Sequence, residues 1–212
     1  MPHASLTQGF QRHSVPGDCL ESHLYGDRGT LGVITVDRLT GRKSALTAMH
    51  VFSGIGDYPD PSLPSSIQVG SPCANGAGPI VGTLLRGTNR DIDAALIDID
   101  GHPATNELPG IGAVRFWRAL SDADDGQPVR MVGAFSGGVQ YGTIVAAAMP
   151  VPGLGLETGI IVEMSAIHGD SGAPLVDASG YLLGILTGGS STRQAFCPIG
   201  PIFQKLSCQL FR

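Results

Sequence analysis

Apolar and β-branched residues occur along most of this chain in short runs, and polar turns separate the runs. The run at 30–36 (TLGVITV) is rich in β-branched residues, and the polar segment 37–43 (DRLTGRK) ends it. A second apolar run follows at 44–48. Two such runs joined by a short polar turn are typical of a β-hairpin. The pattern therefore predicts a hairpin over residues 30–48.

Helical periodicity is scarce in the rest of the chain, and turn residues are frequent. Segment 101–127 contains turns, the only tryptophan and an acidic patch, and we interpret it as a connector between two halves. A short closing helix is expected at 204–210. Many short strands separated by turns predict an all-β sandwich or barrel rather than βαβ units. The further predicted strands are 67–69, 80–85, 94–99, 128–133, 141–149, 159–164, 174–176 and 181–187.

The composition of the 212-residue chain is that of a globular protein with few charges, since 42% of residues are hydrophobic and 15% are charged. A net charge of -5 gives no electrostatic reason to expect nucleic acid or an anionic membrane as partner. No apolar stretch is long enough for a transmembrane helix. The first residues lack the apolar core of a secretory signal, so the expected localisation is cytoplasmic.

The four cysteines, Cys19, Cys73, Cys197 and Cys208, form no C-x-x-C pair and have no zinc-site spacing. The sequence therefore gives no reason to expect a metal or a cofactor. Free thiols are the expected state in a reducing compartment, with a Cys197–Cys208 disulfide as the alternative.

The strongest chemical signal is the segment 167–176, IHGDSGAPLV. Gly169, Asp170 and Gly172 surround Ser171 in a tight polar turn, and an apolar strand follows. A serine hydroxyl is a poor nucleophile until a base takes its proton. None of the six histidines follows Ser171, which excludes the Ser–acid–His order of the α/β-hydrolases. The base must therefore lie upstream.

His50 is the best candidate for that base, because it ends a predicted strand between small and apolar residues. A structural histidine with satisfied hydrogen bonds is the alternative at this position. His168 lies three positions before Ser171 on the same turn. It is poorly placed to reach the hydroxyl and is expected to border a substrate groove. The other histidines lie in irregular segments and are expected to be solvated: His3, His13, His23 and His102.

A carboxylate is needed to orient the base. Asp93 directly precedes a small, apolar run and should be carried into the interior, where a carboxylate needs a partner. Asp91 is the alternative, since it lies two positions earlier and on the same side of an extended chain. The order His50, Asp93, Ser171 is that of the chymotrypsin triad and differs from that of subtilisin.

These residues and their flanking motifs resemble the trypsin-like (chymotrypsin-fold, S1-like) serine peptidases. The matching segments are 47–51 (TAMHV), 93–97 (DAALI) and 169–174 (GDSGAP). The resemblance implies two packed antiparallel β-barrels, at about 28–115 and 127–206, with the active site in the cleft between them. The fold class is thus all-β and chymotrypsin-like, with a short C-terminal helix.

The resemblance also implies a function, that of a serine endopeptidase acting on a protein or peptide substrate through an acyl-enzyme. His50 would be the general base, Asp93 would fix its tautomer, and Ser171 would be the nucleophile. The backbone N–H groups of Gly169 and Ser171 would form the oxyanion hole. The substrate pocket would be lined by Ser165, Ala166, His168, Thr187, Gly188 and Gly189.

Two departures from the family pattern bear on specificity and activation. Ser165 stands where an aspartate would select Arg or Lys, so no such preference is expected at P1, the substrate residue before the cleaved bond. We find no activation site that would create a new N-terminus to pair with Asp170. If Asp170 is buried it needs hydrogen bonds or an internal cation, for which Arg130 is a candidate.

Two other functions remain compatible with these residues. One is a catalytically inactive binding module on a peptidase fold. The other is a serine esterase or acyl hydrolase that uses the same groups. A regulatory partner or fused sensor also stays open.

Overall fold

The computed structural model describes residues 15–22, 27–52, 56–59, 66–71, 73 and 79–212. Strands make up most of the regular structure in these residues, and the one α-helix among them has 7 residues. The predicted all-β class is confirmed. No helix in the described ranges is long and apolar enough to cross a membrane. Three of the histidines named above, His3, His13 and His23, lie outside the described residues.

The strands of the first half of the chain are β1 (Cys19–Ser22), β2 (Arg28–Thr30), β3 (Val33–Asp37), β4 (Lys43–Thr47), β5 (Asp57–Tyr58), β6 (Gln68–Gly70), β7 (Ile80–Thr88), β8 (Ala94–Asp98) and β9 (Glu107–Leu108). Those of the second half are β10 (Gly112–Ala113), β11 (Phe116–Trp117), β12 (Pro128–Gly133), β13 (Gly138–Val151), β14 (Leu156–Glu163), β15 (Pro174–Asp177), β16 (Tyr181–Gly189), β17 (Arg193–Pro198) and β18 (Cys208–Leu210). Helix α1 is Ile199–Lys205, and single 3-10 turns occur at Met49–Val51, Asp122–Asp124 and Pro152–Leu154.

Two large sheets contain most of these strands. The first has nine strands in the order β18-β3-β4-β8-β7-β6-β1-β2, with β5 paired to β7. The second has the order β16-β15-β12-β13-β14-β17, and β17 pairs back onto β16, which closes it into a six-stranded barrel. Strand β11 adds to β16 in parallel, whereas the other pairings in both sheets are antiparallel.

The predicted hairpin is confirmed as the antiparallel pair β3–β4, in which Val33 lies opposite Leu46. Its apolar run is nearly continuous because both faces of β3 are covered. Ile34 packs inside the first sheet, whereas Val33 belongs to a cluster that also contains Val176 and Ile185 of the second sheet. A strand buried on both faces loses the apolar–polar alternation that a half-exposed strand shows.

A separate apolar cluster fills the second sheet, so the core has three parts: one within each sheet and one between them. The cluster between the sheets includes Ile199, Ile202 and Phe203 of helix α1. The helix therefore packs where the two sheets meet.

The chain end differs from the prediction of a helix at 204–210. The helix lies earlier, at Ile199–Lys205, and Ser207 turns the chain with a φ of 48°. Residues Cys208–Leu210 then form β18, which pairs with the edge of β3. The apolar residues that drive helix formation here precede residue 204, and the open edge of β3 supplies hydrogen-bond partners for the segment that follows.

The expectation of four free thiols is wrong for one pair. Cys19 and Cys73 form a disulfide that joins positions 54 residues apart. Cys197 and Cys208 are free and buried, so the alternative Cys197–Cys208 disulfide is absent. Burial raises the pKa of each of these two thiols to about 12.

Candidate active site

The ends of two neighbouring strands bring His50 and Asp93 together. His50 lies in the 3-10 turn after β4, and Asp93 directly precedes β8, which pairs with β4. Asp93 is 2% exposed. The backbone N–H of His50 donates to Asp93 Oδ1 at 2.9 Å, and the imidazole Nδ1 lies 2.6 Å from Asp93 Oδ2.

Ser171 reaches the same imidazole from the second sheet. It lies in the turn before β15, and its Oγ is 2.8 Å from His50 Nε2. Because a carboxylate only accepts hydrogen bonds, Nδ1–H donates to Asp93, which leaves Nε2 as acceptor of the Ser171 hydroxyl. The structure thus brings together the three residues predicted from sequence order, in an arrangement that allows a base to take a hydroxyl proton.

The pKa of His50 is raised above its ordinary value. Burial of the ring by itself lowers this pKa, but the hydrogen bond and the charge of Asp93 oppose it, as does the charge of Asp27, and the raising effects prevail. The side chain of His50 is still 42% exposed, so its Nε2 edge is open to a substrate.

Asp91, the alternative carboxylate, does not contact His50. It has a φ of 67°, which turns the chain and directs its side chain to Lys205 Nζ at 2.7 Å. The argument from strand alternation fails here because residue 91 precedes the extended segment and is not part of it.

The turn before Ser171 presents backbone N–H groups. Gly169 has a φ of 97°, a conformation that favours glycine, and an added Cβ would overlap the ring of Phe135. Within the described residues, the N–H groups of Gly169 and Ser171 donate to no backbone carbonyl. Unpaired N–H groups beside a nucleophile can hold a developing oxyanion.

The carboxylate of Asp170 is fully buried and anchors this turn. It accepts hydrogen bonds from the backbone N–H groups of Phe135, Ser136 and Ile167 at 3.0–3.1 Å, and from the Ser136 hydroxyl. Gly133 lies directly against it, because an added Cβ would overlap the carboxylate. Several hydrogen bonds from neutral groups therefore satisfy this charge.

Arg130 is not the partner of Asp170, which corrects the sequence prediction. Its guanidinium donates to the carbonyls of Asp177 and Ala178, at 3.2 Å each. Arg130 lies three residues before Gly133 on β12, and three strand residues span about 10 Å. The loop that follows β12 reaches Asp170 instead.

Thr30, to which the sequence analysis assigned no role, links the first sheet to the same turn. Its hydroxyl donates to the carbonyl of Gly169 at 3.0 Å and accepts from the N–H of Ala134 at 3.0 Å. Its own N–H donates to the carbonyl of Ser171 at 2.7 Å. The segment 29–32 (GTLG) resembles the family, but the residue type of Thr30 does not reveal its contacts, because a buried threonine in a strand is common.

A cleft of about 440 Å³ opens beside Ser171. Five of the six residues predicted to line the pocket do line it: Ala166, His168, Thr187, Gly188 and Gly189. Ser165 does not line it and is exposed on the surface. Gln194, which the sequence analysis did not consider, contributes a buried polar side chain to the lining.

Comparison with known proteins gives matches among solved structures alone. No protein-family model and no curated protein matches the chain. Cellulomonas bogoriensis chymotrypsin matches with a TM-score of 0.66 and 20% identity, over 93% of this chain and 97% of that chain.

Two further bacterial proteases give similar values. Thermobifida fusca protease A has a TM-score of 0.68 and 19% identity, over 92% of this chain and 97% of that chain. Nocardiopsis protease has a TM-score of 0.67 and 21% identity, over 93% of this chain and 98% of that chain. These matches cover nearly the whole chain of each protein, and the protein therefore has the two-barrel fold of the chymotrypsin-like serine proteases.

Proposed function

We propose that the protein is a serine endopeptidase that hydrolyses peptide bonds through an acyl-enzyme. The observation that carries the proposal is a pair of hydrogen bonds: His50 Nδ1–H donates to Asp93 at 2.6 Å, and the Ser171 hydroxyl donates to His50 Nε2 at 2.8 Å. A binding module has no need of a buried carboxylate, an imidazole and a hydroxyl in this sequence of contacts.

In the first half of the reaction, Ser171 Oγ attacks the carbonyl carbon of the peptide bond while His50 Nε2 takes its proton. Asp93 holds the tautomer that leaves Nε2 free to act, and its charge stabilises the imidazolium that forms. The carbonyl oxygen becomes an oxyanion, which the N–H groups of Gly169 and Ser171 would bind. The C–N bond then breaks as His50 returns the proton to the leaving amine.

In the second half, water attacks the acyl-enzyme and His50 again acts as base. The tetrahedral intermediate collapses, the ester bond to Ser171 Oγ breaks, and the proton returns to that oxygen. The carboxylic acid product leaves and the starting enzyme is restored. The same groups thus serve both steps, with His50 alternating between base and acid.

The Cys19–Cys73 disulfide is relevant to the cellular compartment in which the protein works. Disulfides persist in oxidising compartments and are rare in the cytosol. We therefore propose an oxidising environment for the protein, and Cys19–Cys73 supports this proposal over the cytoplasm expected from the sequence.

The direct test is labelling with a fluorophosphonate, which reacts with an activated serine and needs no knowledge of the substrate. We expect the wild type to be labelled and the variants Ser171→Ala and His50→Ala to be unlabelled. Ser179→Ala and His102→Ala are matched controls away from the three residues, and both should be labelled like the wild type.

Hydrolysis of matched peptide and ester substrates then separates the remaining functions. Cleavage of internal peptide bonds supports the endopeptidase. Cleavage of esters alone would replace it with an esterase. A folded wild type that takes no label would overturn the proposal in favour of an inactive binding module.

A further inference from the structure

Two buried polar side chains of the cleft take no part in the proposed mechanism: the Thr187 hydroxyl, which has no hydrogen-bond partner among the described residues, and the amide of Gln194. Gln194 lies on β17 and is 3% exposed, and its side chain lines the same cleft as Ser171. A buried carboxamide needs hydrogen-bond partners for two donors and for its oxygen. A donor or acceptor of this amide that the protein leaves unpaired is available to a substrate in the cleft.

The nitrogen of this amide is paired within the protein. Gln194 Nε2 donates to the carbonyl oxygens of Met164 and Ser190. Two carbonyls on this side fix the orientation of the amide, because the flipped amide would place its oxygen against both of them. The oxygen Oε1 therefore lies on the other side, and it accepts no hydrogen bond from any described residue.

Gly189 leaves that oxygen open. It is exposed at the cleft, and a Cβ added to it would lie 2.5 Å from Gln194 Oε1. The same Cβ would also overlap the carbonyl oxygen of Arg193, so a side chain at position 189 would have to displace this backbone or Gln194 Oε1. The absence of that side chain gives the acceptor access to the cleft.

The cleft has no permanently charged side chain to compensate a charged P1 group. Among the described residues that line it there is no Asp, Glu, Lys or Arg, and its titratable side chains are His50 and His168. A P1 lysine or arginine would enter without a counter-ion, and a P1 glutamate would place its carboxylate against Oε1. An aliphatic P1 side chain would remove water from Oε1 and leave the acceptor unpaired.

We propose that Gln194 determines specificity and selects uncharged P1 side chains that carry a hydrogen-bond donor, glutamine above all. The P1 amide N–H₂ donates to Gln194 Oε1, and the cleft volume of about 440 Å³ admits so long a side chain. The inference rests on the proposed peptidase activity and adds its substrate class.

Three nearly isosteric P1 residues test the proposed preference for glutamine. We would measure kcat/KM for one peptide series that differs only in P1: glutamine, glutamate and methionine, with lysine added as the cation. Glutamine should exceed methionine by about tenfold or more, because the methionine peptide leaves one buried acceptor unpaired. Glutamate and lysine should be cleaved less well than glutamine.

Substitutions at Gln194 assign the preference to this residue. Gln194→Met should abolish the preference for glutamine over methionine, and Gln194→Glu should shift the preference toward lysine. Gln204→Met is the matched control, because Gln204 is exposed on helix α1, and it should keep the wild-type P1 ranking. The wild-type ranking alone tests the idea if either Gln194 variant fails to fold.

Fluorophosphonate labelling of the same preparations distinguishes the two ways of failing. A labelled enzyme that cleaves the methionine peptide as well as the glutamine peptide would overturn the specificity and leave the peptidase function standing. A glutamine preference that survives Gln194→Met would show that another residue determines it. A folded protein that takes no label would overturn both.

Discussion

The hydroxyl of Thr30 donates a 3.0 Å hydrogen bond to the carbonyl oxygen of Gly169, which lies 139 residues later in the chain. This contact joins the first sheet to the turn that precedes Ser171. It fixes the peptide plane after Gly169 and so helps to direct the N–H groups of that turn. Thr30 is therefore a positioning residue, since it contacts neither the His50 imidazole nor the Ser171 hydroxyl.

Thr30→Val should lower kcat by about tenfold to a hundredfold with little change in KM, because a misplaced oxyanion donor weakens the transition state most. Thr30→Ser should restore most of the rate. Thr35→Val is the control, since the buried Thr35 hydroxyl pairs with Ser44 and touches no residue of the site. An equal loss of kcat in both valine variants would argue against a positioning role.

Gly133→Ala should disable the site through Asp170. The new Cβ would overlap the buried carboxylate, so the turn that contains Gly169 and Ser171 must move. We expect kcat to fall by about a hundredfold or more, measured on protein that circular dichroism shows to be folded. Gly153→Ala is the control, because its Cβ meets nothing within 4 Å, and it should keep full activity.

The pH profile should report the raised pKa of His50. The proposed base works as neutral imidazole, so kcat/KM should rise with pH to a midpoint above the ordinary value of 6.5. Asp27→Asn removes one charge that raises this pKa and should lower the midpoint. Asp93→Asn should lower the rate by about 10⁴-fold, the loss known for this change in triad proteases.

The raised pKa of His50 also makes the stability of the fold depend on pH in a definite direction. A histidine whose pKa is raised on folding stabilises the protein below its unfolded value, and that contribution is lost as pH rises through the folded value. A midpoint for kcat/KM at or below 6.5 would contradict the raised pKa of His50.

Arg86→Ala should destabilise the fold far more than Arg42→Ala. Asp37 is fully buried, and the hydrogen bond from Arg86 is the main reason that its pKa is lowered to about 2. Removing one partner of a buried ion pair costs about 3–5 kcal/mol, whereas the half-exposed Arg42 pair contributes about 1 kcal/mol at most. Urea unfolding at pH 7 measures both.

Acid should weaken the contribution of the Asp37–Arg86 pair to the free energy of unfolding. Because the folded pKa is depressed from 3.8, the stabilisation is present above 3.8 and is lost as pH falls through about 2. Equal unfolding free energies for the Arg86 and Arg42 variants would show that the Asp37 pair is not a principal support of the fold.

Thiol titration should find no reactive thiol in the native protein. Cys197 and Cys208 are buried and have raised pKa values, and the other two cysteines are oxidised. In denaturant without reductant two thiols should react, and after reduction all four should. Four reactive thiols in denaturant alone would contradict the disulfide. Removing this 54-residue link should cost about 4 kcal/mol of stability.

Sequence order was sufficient to select the three residues that meet in the site. The chain has one serine between glycines in a turn of this kind, no histidine after it, and an aspartate at the start of an apolar run between His50 and Ser171. These are constraints on side-chain chemistry, and each can be read directly from the residue types in the sequence. The β3–β4 hairpin could be predicted for the same reason, because its turn and its apolar runs are local.

The features that the sequence did not indicate depend on backbone groups or on distant contacts. Asp170 is held largely by backbone N–H groups, which no residue type reveals, so a charged side chain such as Arg130 was the natural candidate. The partner of Cys19 is 54 residues away, and cysteine spacing alone does not assign a pairing. Gln194 lies outside every motif and matters through the carbonyls and the glycine around it.

The position of Ser171 between two sheets has a consequence for a newly made chain. Strand β18, which completes the first sheet beside β3, lies 37 residues after Ser171, at Cys208–Leu210. His50 and Ser171 meet only when both sheets are folded against each other. A chain still emerging from the ribosome therefore contains an inert serine, and under the proposed function the peptidase acquires its activity only after synthesis has passed β18.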